Sequence, residues 1–365
     1  MKSKTIVITC GTSLFTNLDD YKYKDFIYKK ANFSQSQLAK EDKEQIEIIA
    51  QHSLQRLNSI KSDITLLKKS CAELNTIFSY YEDNINEAKR IGDCFYLFTT
   101  DTFVGEKGGE TLRQYLQETC GLNAYKIKIP NLKADTKVNF EDGVKSLYYS
   151  KEINSIFTQG EVVFILSGGF KSWSGYMQAL GMFYADKIYY QFEPPGDSLI
   201  EIPKIPIELN DEQKQALRLL SVDQKPNDEY LKLLPKTSYT QIGDEYCLDG
   251  NGLMLWNDLK KKGFYNKLQA SLNENIQYSS NFKKDYEACN DIEKQTLGEK
   301  LDKIAIYLKT KNEAYNLKSI RWHEYKNDET YKWEFYPFNG NDSRRAYVKE
   351  ENGVYIIDKI DSHSK

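Results

Sequence analysis

Two short apolar runs set the pattern of the chain. Ile6-Val7-Ile8-Thr9-Cys10 stops at Gly11-Thr12-Ser13-Leu14, and a second run through Ile165-Leu166 stops at Ser167-Gly168-Gly169-Phe170-Lys171. Each is rich in β-branched residues, and a helical pattern follows each. That is the grammar of a buried parallel strand entering a tight turn at a helix start. Glycines let a ligand approach the backbone closely, and free N–H groups at a helix start attract phosphate. Two such turns in one sheet predict a phosphate-bearing ligand across the carboxyl ends of the strands. A plain strand–turn–helix connection without ligand would leave the same pattern.

The rest of the first half alternates strand and helix. Residues 5–10 read as the first strand, and the Tyr/Lys/Asp-rich stretch 18–40, which lacks periodicity, as an exposed insertion. From 41 to 88 Ile46, Ile49, Leu54, Leu57, Ile60, Ile64 and Leu67 recur at three- and four-residue steps, which predicts two helices. A strand over 94–98 ends in the polar turn Thr99-Thr100-Asp101-Thr102. Gly108-Gly109-Glu110-Thr111 then opens a helix through Leu116. Strands follow at 125–129, 161–166 and 188–192, with helices at 141–157 and 172–185. Pro194-Pro195-Gly196 closes the domain. This order implies an α/β Rossmann-like unit: a parallel sheet with helices on both faces and right-handed crossovers.

Beyond it the pattern changes. Residues 205–207 read as a crossing segment, 211–222 as a helix, and 246–259, with Gly250 and Gly252 inside, as part of a small linker domain. A winged helix is one option there. The only basic run is Lys260-Lys261-Lys262, which suits a helix C-terminus favoured by its dipole. The last stretch gives a strand at 276–279, helices at 281–289 and 292–308, and strands at 319–324, 331–336, 345–348 and 354–360. Asn339-Gly340 and Asn352-Gly353 supply hairpin turns. This is an α+β order.

Composition adds limits. A chain of 365 residues predicts two or three domains, and 40% hydrophobic with 28% charged residues fits a soluble globular protein. A net charge of −3 gives no global basic field, so any nucleic-acid contact must be local. The six cysteines are scattered, without CxxC or zinc spacing, as expected of free thiols in a reducing cytoplasm. The N-terminal apolar run is short and interrupted by Thr5 and Thr9, and no transmembrane run stands out, so a cytoplasmic protein without membrane contact is expected.

The two strand ends, with Gly175-Tyr176 and Leu180-Gly181-Met182-Phe183-Tyr184-Ala185-Asp186 after the second, resemble the CRISPR-associated Rossmann-fold (CARF) sensor family over residues 1–197. Members of that family bind cyclic oligoadenylate, the second messenger of type III CRISPR systems, at a dimer two-fold axis. The resemblance implies a homodimer and a ring, with the four-membered cyclic oligoadenylate (cA4) the first candidate. It implies that Gly11, Thr12, Ser13 and Leu14 line one side of the ring and Gly168, Gly169, Phe170 and Lys171 the other, with Thr100 and Glu110 as outlying members. Residues 198–272 form the linker in this scheme.

Residues 273–365 resemble the RelE toxin family. Phe282-Lys283-Lys284-Asp285 resembles its first helix start, Arg344-Arg345-Ala346-Tyr347-Val348 its arginine-bearing strand, and 357–365 its closing strand and basic end. The family consists of metal-independent mRNA interferases acting on the ribosome: a 2′-hydroxyl attacks the adjacent phosphate. That chemistry needs a base, cations for the phosphorane and an acid for the leaving oxygen. The resemblance implies Arg344 and Arg345 as phosphate clamps, Lys332 or Glu334 as base on one strand face, His363 as acid and Lys365 as a further cation. His323 is a rival to His363; His52 has no role. One departure is charge: residues 271–365 carry 16 Lys plus Arg against 17 Asp plus Glu, a net of −1. HEPN ribonuclease and zinc deaminase signatures are absent. The expectation is a cyclic-oligoadenylate-activated endoribonuclease of antiviral defence without metal or cofactor, cleaving messenger RNA on the ribosome. The competing class is a ligand-sensing transcriptional or partner-binding regulator without nuclease chemistry.

Overall fold

A computed structural model describes residues 3–157, 159–191, 199–206, 208–326 and 329–362. The chain divides into two compact units, Met1–Glu208 and Leu209–Lys365. Phe192, the Pro194-Pro195-Gly196 stop, Ile207, His363 and Lys365 lie outside the described residues.

The N-terminal unit runs β1 (Lys4–Thr9), α1 (Lys24–Lys30), α2 (Lys40–Ser59), α3 (Ile64–Ser70), α4 (Ala72–Tyr80), α5 (Asn86–Ile91), β2 (Cys94–Thr99), α6 (Phe103–Gln114), β3 (Asn123–Lys128), α7 (Lys137–Tyr149), α8 (Lys151–Ile156), β4 (Glu161–Ile165), α9 (Lys171–Tyr184), β5 (Lys187–Gln191) and β6 (Leu199–Ile202). The sheet order is β3-β2-β1-β4-β5-β6. β1 to β5 are parallel and β6 is an antiparallel edge on β5. Ile6, Val7, Ile8, Val163, Phe164 and Ile165 are fully buried, which is why these runs are continuously apolar. The strand order reverses between β1 and β4, and ligands of such sheets bind in the crevice outside a switch point of this kind.

Several expectations need correction here. The stretch 18–40 is not simply exposed. It holds α1 and two 3-10 turns, buries Ile27 and Leu38, and places Asp20 out of solvent. Asp20 bonds His52 Nδ1 (2.9 Å), Ser53 Oγ (2.7 Å) and Arg56 Nη2 (2.9 Å), so His52 supports the fold. Residues 41–88 contain four helices rather than two, because Asp63 and Cys71 each cap a new start by accepting from Leu66 N and Leu74 N. The helix expected to open at Gly108-Gly109 opens instead at Phe103. Thr102 caps it by accepting from Gly105 N, and a Cβ at Gly109 would collide with Thr99 Cγ2. The single helix expected over 141–157 breaks at Ser150, whose hydroxyl caps α8. The antiparallel β6 was not foreseen: its burial pattern carries no buried face.

The C-terminal unit runs α10 (Asp211–Leu220), α11 (Asp228–Lys232), β7 (Tyr239–Ile242), β8 (Glu245–Leu248), α12 (Gly250–Lys261), β9 (Ile276–Tyr278), α13 (Ser280–Ala288), α14 (Asp291–Thr310), β10 (His323–Glu324), β11 (Trp333–Phe335), β12 (Arg344–Glu351) and β13 (Val354–Ser362). The five-stranded sheet is ordered β10-β11-β12-β13-β9, antiparallel except for β9 on β13. α13 and α14 bury Phe282, Tyr286, Leu297, Leu301 and Ile304 with Phe335, Val348 and Ile357 of the sheet. The strand expected at 319–324 shrinks to two residues because Arg321 sits at φ 48°, in the left-handed region. Asn352 (φ 51°) and Gly353 (φ 81°) make the foreseen hairpin turn. The stretch 209–272 packs on α14: Arg218, 3% exposed, bonds Asp302 through Nε (2.9 Å), and the Tyr265 hydroxyl donates to the same carboxyl (2.7 Å).

Candidate functional site

A cavity of about 480 Å³ opens at the switch point of the N-terminal sheet. The turns after β1 and β4 form its floor. These glycines are required by space. A Cβ on Gly11 would lie 2.6 Å from Gly169 N, and one on Gly168 would lie 2.5 Å from Thr9 O and against Glu73 Oε1. Gly169 stands at φ 94°. α9 begins here without a side-chain cap; Trp173 N and Ser174 N donate to Phe170 O, while the N–H groups of Lys171 and Ser172, like those of Thr12 and Gly169, make no hydrogen bond among the described residues.

The floor is not a plain anion site. Glu73, 2% exposed in the first turn of α4, accepts from Gly11 N (2.6 Å) and Ser13 Oγ (3.3 Å). Ser13 Oγ in turn accepts from Ala72 N (3.1 Å). The amide of Gly11 is therefore occupied from within the chain. Burial, followed by Glu73, pushes the thiols of Cys10 and Cys71 well up, so neither is a nucleophile. All six cysteines are free.

The cavity brings together Gly11, Thr12, Ser13, Thr100, Gly168, Gly169 and Phe170, all named from sequence. Three others lie elsewhere. Leu14 is a core residue, 2% exposed. Glu110 is in the middle of α6, where Arg113 holds its carboxyl below the usual range, with Lys126 3.4 Å away. Lys171 is exposed at the start of α9, outside the lining. Sequence reasoning missed Glu73, Tyr28 and Asn32. Glu73 left no local signal beyond an acidic residue in a helix's first turn.

The second candidate is the face of the C-terminal sheet turned away from its core. Trp333 and Phe335 pack inward, so Glu334 points outward, paired across the ladder with His323 and Tyr347. Arg345 shares that outward face. Its guanidinium stacks on Tyr336, 3.7 Å from the ring centroid, and donates to the carbonyls of Arg344 (2.8 Å) and Asp342 (3.4 Å). It has no carboxylate partner among the described residues. Arg321 donates to the Tyr336 hydroxyl (3.1 Å). Arg344 points the other way, stacks on Phe338 (4.0 Å) and pairs with Asp342 (2.7 Å) and Glu293 of α14. The two arginines are thus on opposite faces and cannot form one clamp.

Neither candidate base is open. Glu334 is 5% exposed, with Oε1 2.8 Å from His323 Nε2, while His323 Nδ1 lies 2.7 Å from Arg321 O. Lys332 precedes β11 and pairs with Glu350 (3.1 Å), which also accepts from Trp333 Nε1 (2.7 Å). Farther along the face, Lys359 sits over Tyr331 (5.4 Å) and Tyr347 (5.3 Å), and Tyr325 packs edge-on against Tyr347. Burial pushes the Tyr347 hydroxyl up to about 12. Beneath, Lys300 donates to the carbonyls of Ser319 (2.8 Å), Tyr336 (3.0 Å) and Phe338 (2.7 Å), fixing the loop that carries both arginine-stacking rings. Burial lowers its ammonium to about 8.

Residues 68–205 match a family model described as CRISPR-associated protein (Cas_APE2256). The match is under half of the chain. It includes Glu73, the start of α6 and the Gly168 turn, and leaves out β1 and the C-terminal unit. It supports a CRISPR-associated protein with a role in CRISPR defence. No curated protein matches the chain. No helix among the described residues is long and apolar enough to cross a membrane.

Proposed function

We propose that the chain is a cyclic-oligoadenylate-activated endoribonuclease of type III CRISPR defence. The observation that carries the reading is the cavity between two obligatory glycine turns at the sheet's switch point, next to an uncapped helix start, with the β4 turn and half of the lining inside the stretch that matches a CRISPR-associated family. Ring phosphates bind at the Thr12 and Gly169 amides and the start of α9. A homodimer would present two copies of these turns to one symmetric ring. Messenger RNA on the ribosome is the substrate of the C-terminal unit, which has a RelE-like order of elements. Its outward face supplies aromatic rings and a guanidinium without a carboxylate partner among the described residues, the kinds of group that hold single-stranded RNA and a phosphorane. Cleavage is by attack of the 2′-hydroxyl on the adjacent phosphate, which breaks the bond to the 5′-oxygen of the next nucleotide and leaves a cyclic phosphate and a free 5′-hydroxyl.

One observation favours a second reading, a ring-sensing regulator that binds its partner without chemistry. Glu334 and Lys332 are both engaged by other side chains. The experiment is a translating extract with purified protein, with and without four- and six-membered adenylate rings, followed by mapping of messenger 5′ ends. Ring-dependent new ends support the nuclease. Ring binding by calorimetry without new ends supports the regulator.

A further inference from the structure

One wall of the cavity comes from Tyr28, Ala31 and Asn32, in the stretch that reads from sequence as an exposed insertion. This wall is held firmly. Ile27 is fully buried beside it, Lys30 pairs with Asp42 of α2 (2.6 Å), and Phe33 O accepts from Phe103 N (2.9 Å) at the start of α6. On that anchored backbone the two polar-tipped side chains remain open. Tyr28 is 54% exposed, with Lys24 Nζ 5.8 Å from its ring centroid. The Asn32 side chain is exposed and its carboxamide makes no hydrogen bond among the described residues. An aromatic face and a free carboxamide on a rigid wall, beside a floor suited to phosphate, are the parts of a nucleobase site.

We propose that Tyr28 and Asn32 form the base subsite of this cavity and select adenine. Tyr28 stacks on the base, as any nucleobase allows. Asn32 reads its edge: the carboxamide oxygen accepts from the 6-amino group and the carboxamide nitrogen donates to N7. Hypoxanthine and guanine carry a 6-oxo group, an acceptor that would face the carboxamide oxygen and leave it unpaired. This assignment rests on the reading of the cavity as an oligoadenylate site and names the groups that would make it specific.

The test is calorimetric titration of the full chain with cyclic oligoadenylate and cyclic oligoinosinate, each as four- and six-membered rings. Oligoinosinate differs in the 6-substituent and in the proton that N1 then carries, and leaves N7 as it is. Wild type should prefer the adenylate ring by on the order of ten- to a hundred-fold, the range for one bidentate base contact. Asn32→Ala should lose that preference and bind the inosinate ring as wild type does. Tyr28→Ala should weaken both rings alike, and Tyr28→Phe should restore both. Both side chains are exposed, so the fold is not at stake. A wild type without preference, an Asn32→Ala variant that keeps it, or an unaffected Tyr28→Ala variant would overturn the subsite while leaving ring binding standing. If wild type binds no adenylate ring of either size, the oligoadenylate reading falls and the subsite with it.

Discussion

Arg345→Ala separates the arginine on the outward face, which the proposed function assigns to RNA, from the one that braces the fold. Arg345 lies on β12 with its planar fork on Tyr336 and, among the described residues, no carboxylate to neutralise it. A cation preorganised on a strand, aimed where charge develops, commonly contributes on the order of 10²–10³ in rate. Its removal forfeits a cation–π contact worth about 0.5–2 kcal/mol, against a typical domain stability of about 5–15 kcal/mol, so the unit stays folded. Arg344 differs. It stacks on Phe338 and its charge is matched by Asp342 and Glu293, which raise its own pKa and lower those of both carboxyls. Partly exposed pairs of this kind contribute about 0–1 kcal/mol each. Arg344→Ala should lower the melting temperature by a few degrees and leave ring-stimulated cleavage within a few-fold of wild type. Arg345→Ala should nearly abolish cleavage with ring binding intact. Arg345→Lys should rescue it only in part, because an ammonium lacks the planar fork. The assay is ring-dependent messenger cleavage across a salt series, since a steering charge would fade with salt and a clamp would not. If Arg345→Ala cuts within a few-fold of wild type, or Arg344→Ala loses as much, the outward face is not the active site.

Three further outcomes follow from the packing. Gly168→Ala should cost roughly 1–3 kcal/mol and weaken ring binding at least ten-fold, because its Cβ meets backbone atoms of Thr9 and Gly11; Gly175→Ala, with open space around it, serves as the control in melting and titration. Asp302→Ala strands the buried Arg218 guanidinium and should lower stability by about 3–5 kcal/mol in urea titration, with the Arg218→Met/Asp302→Leu pair recovering most of it. Lys300, lowered by burial to about 8, sheds its proton in the folded unit while an unfolded lysine keeps it up to about 10.4. Unfolding then takes up a proton, so stability rises with pH across that window, and Lys300→Met should remove the rise in wild-type-minus-variant denaturation curves.

The sheet and its two turns were legible because each is a local statement. A strand buried on both faces has to be an apolar run, and a turn without room for a Cβ has to be glycine, as at Gly11 and Gly168. Glu73 was illegible for the opposite reason: it reaches Gly11 across 62 positions, and nothing near residue 73 marks it as part of the floor. The insertion was misread because its core contacts are single residues, Ile27 and Leu38, too few to make a period. The opposed directions of Arg344 and Arg345 were available from the two-residue period of any strand. The His323–Glu334 contact needed β10 to shrink to two residues, which the left-handed Arg321 brings about and no propensity announces.

The occupied amide of Gly11 also constrains how a ring can lie. With Glu73 holding that N–H and the Ser13 hydroxyl, the β1 turn offers a phosphate the Thr12 amide beyond them, and a carboxyl group stands directly behind. The β4 turn carries the larger share, with the Gly169 amide and the uncapped start of α9. Phosphate is therefore favoured on the α9 side of the cavity. In the proposed reading a nucleotide anchored there would direct its base toward the wall where Tyr28 and Asn32 stand open on a braced backbone. Glu73→Gln keeps an acceptor for Gly11 while removing a carboxyl group from the floor, so it should tighten ring binding without changing base preference. A weakened ring or an altered adenine-to-inosine ratio in that variant would show that phosphate and base do not divide the cavity in this way.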